Sequence, residues 1–331
     1  MTRNLKLVGS LLGLIVALSL YGCDMGPAAS GSFDKSLDVS GPLHLEISDV
    51  SGDISITGAA DGKVHVHGDV HASGMGFGNP QQRVNQIVAN PPIELRGDSL
   101  RIGKQVARLH NVSVTYTVEV PRTTAVVTSS VSGSITVRNV QGPLQAESVS
   151  GSLRAHDIGR DTRLSSTSGS IEVENCDDDV RGNSVSGSVE VINVKGDVTA
   201  HSVSGNVTVR GPGGRVDSNS SSGSLEVRGA NNDVKAHTAS GRVEISGNPS
   251  GNSFWDLKTM SGGINISVPT DANFHLSSSA VSGQIRTQVP IVIEEQGKHS
   301  LRARMGNGNG RVEVHTVSGS VELDGTQSAA R

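Results

Sequence analysis

The chain has 331 residues, of which only 2% are aromatic while Gly occupies 41 positions. A thick globular core recruits Phe, Leu and Trp, so this composition points to a thin core filled by Val, Ala and Thr. The formal net charge is −4 with no basic block, which excludes the electrostatic footprint of a nucleic-acid binder.

Arg3 and Lys6 open the chain, and Leu7 to Leu20 follow as an apolar stretch of 14 residues. That is too short to span a bilayer comfortably and suits the apolar region of an export signal. It ends in Leu20-Tyr21-Gly22-Cys23, which resembles the bacterial lipobox: a small residue before the cleaved bond, then a thiol that accepts diacylglycerol. Tyr21 is larger than the residue usual at its place. The expectation is a signal peptide over 1–22, lipidation (palmitate among the acyl chains) at Cys23, and a flexible tether over 23–36. Removing residues 1–22, which hold Arg3, Lys6 and no acid, takes the net charge from −4 to −6. Cys176 is the only other cysteine, so an acylated Cys23 leaves no intramolecular disulfide.

Downstream, Gly52-Asp53-Ile54-Ser55-Ile56 and Lys63-Val64-His65-Val66-His67 alternate as strands, and Val112, Val114, Tyr116, Val118 and Val120 do so up to Pro121. Residues 75–92 suggest a short helix around Gln82–Ala89. These segments, with a second irregular excursion over 288–311, read as caps on what lies between them.

What lies between is a repeat. Ser-Gly pairs place Gly133, Gly151, Gly169, Gly187, Gly205, Gly223 and Gly241 at equal intervals of 18, and further pairs place Gly262, Gly283 and Gly319 at 21, 21 and 36, the last read as 18 twice. A fixed period near 20 is the mark of a solenoid, whose coils bury their apolar faces on one another. In the coil Gly187–Ser204 the apolar positions are Val189, Val191 and Val194, then Val198, Ala200 and Val203, the second trio repeating the first after nine residues. A hexapeptide triangular helix would bury Val189, Lys195 and His201 and fails at once. A two-faced coil with a short strand on each side fits. The columns agree: Ile135, Leu153, Ile171, Val189, Val207, Leu225 and Val243 on one side, against the lighter Ala146, Leu164, Gly182, Ala200, Ser218 and Ala236 on the other. The fold class expected is all-β, a single-stranded parallel β-solenoid with irregular caps over 37–325.

Val50-Ser51-Gly52-Asp53-Ile54-Ser55-Ile56, Val114-Thr115-Tyr116-Thr117-Val118-Glu119-Val120-Pro121, the tandem Val-Ser-Gly-Ser units and Gly310-Arg311-Val312-Glu313-Val314 to Gly319 are similar to a bacterial "putative adhesin" family, a domain of unknown function. The resemblance implies a β-solenoid in a cell-envelope protein, often membrane-tethered, and brings no catalytic residues.

Several clusters invite chemistry. Polysaccharide-cleaving β-helices need acids, Lys or Arg converging in a loop-walled groove. Here Arg154 falls one coil from Glu172, and Arg138, His156 and Glu174 share a column, the pattern of surface charge ladders. Asp177-Asp178-Asp179 could gather carboxylates around Ca²⁺, but the nonapeptide of calcium β-rolls is absent, and an acidic turn is the expectation. His65 and His67, with His71 nearby, share a strand face that could hold Zn²⁺ or Cu²⁺, although exposed histidines are the commoner outcome. Cys176 shares a column with Val140, Ile158 and Val194 and reads as a small core hydrophobe. The expectation is therefore a lipid-anchored, non-catalytic envelope module with no cofactor and no bound metal. Its partners would be the membrane through its lipid and an envelope protein or glycan. The alternative is a carbohydrate-binding or carbohydrate-cleaving β-helix.

Overall fold

The computed structural model describes residues 26–39, 41–60, 62–74, 79–104, 111–249 and 251–326. The expected signal peptide and Cys23 lie outside these residues. Two long sheets of 14 and 15 strands face each other across a thin core. Each coil of the repeat gives one strand to each sheet: Val189–Val194 to the first, Val198–Ser202 to the second. Each strand pairs in parallel with its counterpart one period away, Val189 opposite Val207 and Val198 opposite Val216. The two-faced coil is thus the unit of the fold. Both sets of inward columns are buried, the Val-rich one and the Ala, Ser and Gly one alike. At Gly182 a Cβ would come within 3.0 Å of the Val189 side chain, so the two sheets approach closely where the light column stands.

The two sides of a coil are not equivalent, and this corrects one expectation. On the first side the inward spacing widens between Val191 and Val194 because Asn193 turns the chain with φ 54°. The same place in other coils holds Asn139, Asp157, Asn175, Gly211 and Gly229, all at positive φ. Only Gly, and the short polar Asn and Asp, occupy that region cheaply. The side chains also bond along the column, Asn193 to Asn175 at 3.3 Å and Asn175 to Asp157 at 3.0 Å. On the second side no such turn intervenes, so strict alternation continues from Val198 and Ala200 to Ser202. Ser202 is 5% exposed and Val203 is 48% exposed. The inward trio is therefore Val198, Ala200 and Ser202, and Val203 points to solvent.

That buried serine explains the Ser-Gly period. The Ser202 hydroxyl accepts from the Gly205 N–H at 2.9 Å and donates at 2.9 Å to the carbonyl of Gly187, the turn glycine on which Gly205 stacks. Ser184, Ser220 and Thr238 make the same donation to Gly169, Gly205 and Gly223 at 3.0, 3.1 and 2.9 Å. Each glycine in turn lies on the carbonyl oxygen of its neighbour, so close that a Cβ has no room: Gly133 on Gly52, Gly151 on Gly133, and so on to Gly262 on Gly241. The glycine is required by backbone-to-backbone packing, and the hydroxyl satisfies the polar groups that this packing buries.

Both ends depart from sequential stacking. Gly319 lies on Gly262, and Gly283 lies on Gly319. Accordingly Gly310–Ser318 inserts between Phe254–Ser261 and Phe274–Ser282, and Val321–Thr326 between Ile264–Pro269 and Ile285–Thr287. The interval of 36 residues is therefore not two coils: it holds an antiparallel pair, Val292–Gln296 with Ser300–Met305, and one coil that returns inward. At the other end the segment expected to be a cap is a coil. Ile54–Ala59 pairs with both Val112–Pro121 and Ile135–Val140, and His44–Asp49 with both Ser99–Ile102 and Ala125–Ser130.

The tether is also corrected. Gly26–Asp38 is a 13-residue strand, antiparallel to Lys63–Gly74, and Phe33 buries its ring against Gly68, where no side chain competes for the space. The helix, Pro80–Ala89, begins with the Asn79 side chain accepting from the Gln81 N–H, and it buries Val84 and Ile87. Gly31 lies beneath Val84 and Val88, so the helix packs on the edge strand.

Candidate functional surface

The outward residues before each glycine build a continuous surface along the stack. Two residues before it stand Val50, Val131, Val149, Thr167, Val185, Val203, Ser221, Ala239, Met260, Val317 and Val281, in stacking order. Eight of the twelve large apolar side chains that stand exposed among the described residues belong to this one column. Four residues before the glycine runs a polar column, Ser165, Asn183, His201, Asn219 and His237. Between them lies a groove of about 530 Å³ from Ser165 to Met260, floored by Ser166, Ser184, Ser202, Ser220 and Thr238. Alternation produces the shape: the hydroxyl points in while its neighbours on both sides point out.

On the polar wall, Asn219 Nδ2 lies 3.0 Å from His201 Nε2. His237 Nε2 lies 2.9 Å from Asp256 Oδ2, which also takes an ion pair from Lys258 at 2.9 Å. The expected charge ladders are present, Arg154 to Glu172 at 3.4 Å and His156 to Glu174 at 3.3 Å. They pair charges between adjacent coils along the outer face of the first sheet.

The other candidates sit apart from the groove. Asp178 and Asp179 meet Asp161 rather than Asp177, with one oxygen from each within 4.8 Å of the others. Asp177 instead pairs with Lys195 at 2.7 Å. Asp179 accepts from the Asp197 N–H at 2.8 Å, and Asp161 pairs with Arg163 at 3.0 Å, so these acids serve backbone turns and ion pairs. His67 is held between two carboxylates, Nδ1 at 2.7 Å from Asp34 and Nε2 at 3.3 Å from Asp69. Donation of a hydrogen bond to the Asp34 carboxylate raises its pKa above the usual imidazole range. Both ring nitrogens are thus engaged by acids. His65 lies 2.9 Å from the Ser36 hydroxyl, and the set of three histidines does not converge. Cys176 is buried against Thr162, with Sγ to Oγ1 at 3.5 Å, and burial raises its thiol pKa.

One buried pair was not anticipated. Asp49 occupies the place of the ladder serines three residues before Gly52, and at the N-terminal end of the hydroxyl column it puts a carboxyl where others put an alcohol. Burial lifts its pKa to about 7, against the opposing pull of the Val50 and Ser51 N–H groups. Tyr116 is fully buried, and burial followed by the Asp49 charge raises its phenol pKa. Asp49 Oδ2 and Tyr116 Oη both lack a hydrogen-bond partner. The signal was available in the sequence as the third residue before each repeat glycine, which reads Asp49, Ser130, Ser148, Ser166, Ser184, Ser202, Ser220 and Thr238.

Residues 164–324 match the Toastrack DUF4097 family. No curated protein matches the chain in sequence. Among solved structures, a putative cell adhesion protein from Clostridium sporogenes aligns at 8% identity over 90% of this chain and all of its own, with a TM-score of 0.25. A putative adhesin from Bacteroides fragilis aligns at 12% identity over 88% of this chain and 97% of its own, with a TM-score of 0.33. Another, from Parabacteroides distasonis, aligns at 10% identity over the same shares, with a TM-score of 0.34.

Proposed function

From a chain whose residues 164–324 match the Toastrack DUF4097 family, we propose a membrane-anchored, non-catalytic envelope module that works as a scaffold, an adhesin-like surface or a sensing partner for other envelope proteins. The carrying observation is the continuous column-and-groove surface before the repeat glycines. It sets an apolar wall against a polar one through successive coils, as a binding surface does. Anchoring rests on the lipobox at Cys23. The strand Gly26–Asp38 begins three residues after it, which would hold the N-terminal end of the solenoid close to the lipid. No described helix is long and apolar enough to cross a membrane. One acyl chain binds a bilayer marginally and several bind it stably, so Cys23→Ser should release the protein to the soluble fraction or leave uncleaved precursor. Labelling of the variant with a lipid precursor at the normal level would remove the anchor from this proposal. Binding is tested separately, by crosslinking in intact envelopes followed by recovery of this chain. Envelope proteins should be recovered with wild type and lost when His201 and His237 on the groove wall become Ala. Recovery unchanged by those substitutions counts against the groove.

Carbohydrate binding is the second reading, favoured by the polar groove wall of Asn183, His201, Asn219 and His237. Against it, Trp255 and Tyr116 are both fully buried and offer no ring for a sugar to stack on.

A further inference from the structure

Resting on the envelope-module reading and naming the partner for the same surface, we propose that the apolar column seats the same column of a second copy of this chain, so that two solenoids lie side by side. The column has 11 positions in stacking order, from Val50 to Val281, and is apolar at all but Thr167 and Ser221. With strands about 4.8 Å apart, it is a stripe about 48 Å long. Backbone conformation does not demand an apolar residue there, since Thr167 and Ser221 take the same place in otherwise similar coils. The valines are therefore not explained by strand formation alone. Nor are they explained as core, since Val131, Val149, Val185 and Val203 are each exposed by 44–48% and Met260 by 63%.

Three features select a second copy as the occupant. The first is pitch. An extended peptide repeats its side-chain direction about every 6.8 Å and falls out of step with a stripe that repeats about every 4.8 Å, whereas an identical column matches at every coil. The second is charge. The residue after each repeat glycine is Ser134, Ser152, Ser170, Ser188, Asn206 or Ser224 through six successive coils, so one border of the stripe is neutral there and like copies are not repelled. The third is area. Taken with one bordering column on each side, each about 7 Å away, the stripe covers roughly 650 Å² per copy. That approaches the roughly 800 Å² per partner of a stable interface, with an apolar centre and polar borders.

Val203 is the sixth of the 11 positions, so it meets its own counterpart whether the two solenoids run in the same or in opposite directions. In the full chain, Val203→Cys should form a disulfide-linked dimer under mild oxidation, well above wild type, whose own Cys176 is buried. Arg228→Cys, on the outer face of the other sheet, should not exceed wild type. Sedimentation of the purified full chain should show a dimer, weakened roughly tenfold or more by Val185→Asp with Val203→Asp, at unchanged melting temperature. If that pair lowers the melting temperature, Val185→Thr with Val203→Ser, residues that the column already carries elsewhere, should weaken the dimer instead. A wild-type chain that sediments as a monomer throughout the micromolar range would overturn the proposal. So would equal crosslinking at Val203→Cys and Arg228→Cys, or a glycan or peptide that occupies the column of a monomer.

Discussion

The hydroxyl of Ser202 donates to the carbonyl of Gly187 at 2.9 Å, across the step between the stacked turn glycines Gly187 and Gly205. The same oxygen accepts from the Gly205 N–H, so one side chain joins the two layers and pairs a backbone group in each. Replacing Ser202 by Ala strands a buried N–H and removes a donor from a buried carbonyl, which should cost about 1–3 kcal/mol. Ser204→Ala, the same change two residues later on an exposed turn, should stay within about 0.5 kcal/mol. Chemical denaturation of the two variants compares them directly. Equal midpoints would mean that the ladder does not carry stability.

The period itself predicts an asymmetry between two deletions. Removing 187–204 takes out one whole coil and joins Ser186 to Gly205 in unchanged phase, so every inward column stays inward. Removing only 196–204 deletes the return strand Val198–Ser202, and Val189–Val194 is then followed by another strand of the same sheet, Val207–Pro212. The nine-residue deletion should therefore melt lower than the 18-residue one, as followed by circular dichroism. A higher or equal melting temperature for the shorter deletion would be incompatible with the two-sided coil.

The C-terminal coil sits inside the stack, so truncation there should not behave as the trimming of an end. Ending the chain at residue 309 removes Gly310–Ser318 and Val321–Thr326 and leaves Ile285–Thr287 without its parallel partner. Amide hydrogen exchange should show protection lost across Phe274–Thr287 and retained across Ile135–Ala230. Protection that persists at Ile285–Thr287 would show that the last coil does not insert there.

Asp49 predicts a pH dependence with a definite sign. Its carboxyl titrates near 7 in the folded chain because it is buried, and near 3.9 when unfolded. The folded state thus holds a proton that the unfolded state has released, so stability is highest below about pH 4 and declines as pH rises toward 7. Asp49→Asn cannot ionise and should flatten that decline, raising the melting temperature more at pH 8 than at pH 5. Parallel pH profiles for the variant and wild type would show that the ionisation of Asp49 is not coupled to folding.

Much of this molecule is readable without coordinates, because a repeat writes its geometry many times over. Period, the two-sided coil, the inward Val columns, the Arg154–Glu172 step and the inward Cys176 all follow from alternation combined with an 18-residue spacing. Where the local conformation changes hand, that arithmetic slips. Asn193 at positive φ shifts the phase on one side only, which is why Val203 looked like the partner of Val194 while Ser202 was the residue inside. The place of Gly26–Asp38, the insertion of Gly310–Thr326 between two earlier coils, and the meeting of Asp49 with Tyr116 were decided by tertiary structure alone. Each depends on which unpaired sheet edge a segment finds. A strand's own residues show which side chains face inward, whereas its neighbour is chosen by long-range pairing that no local pattern encodes.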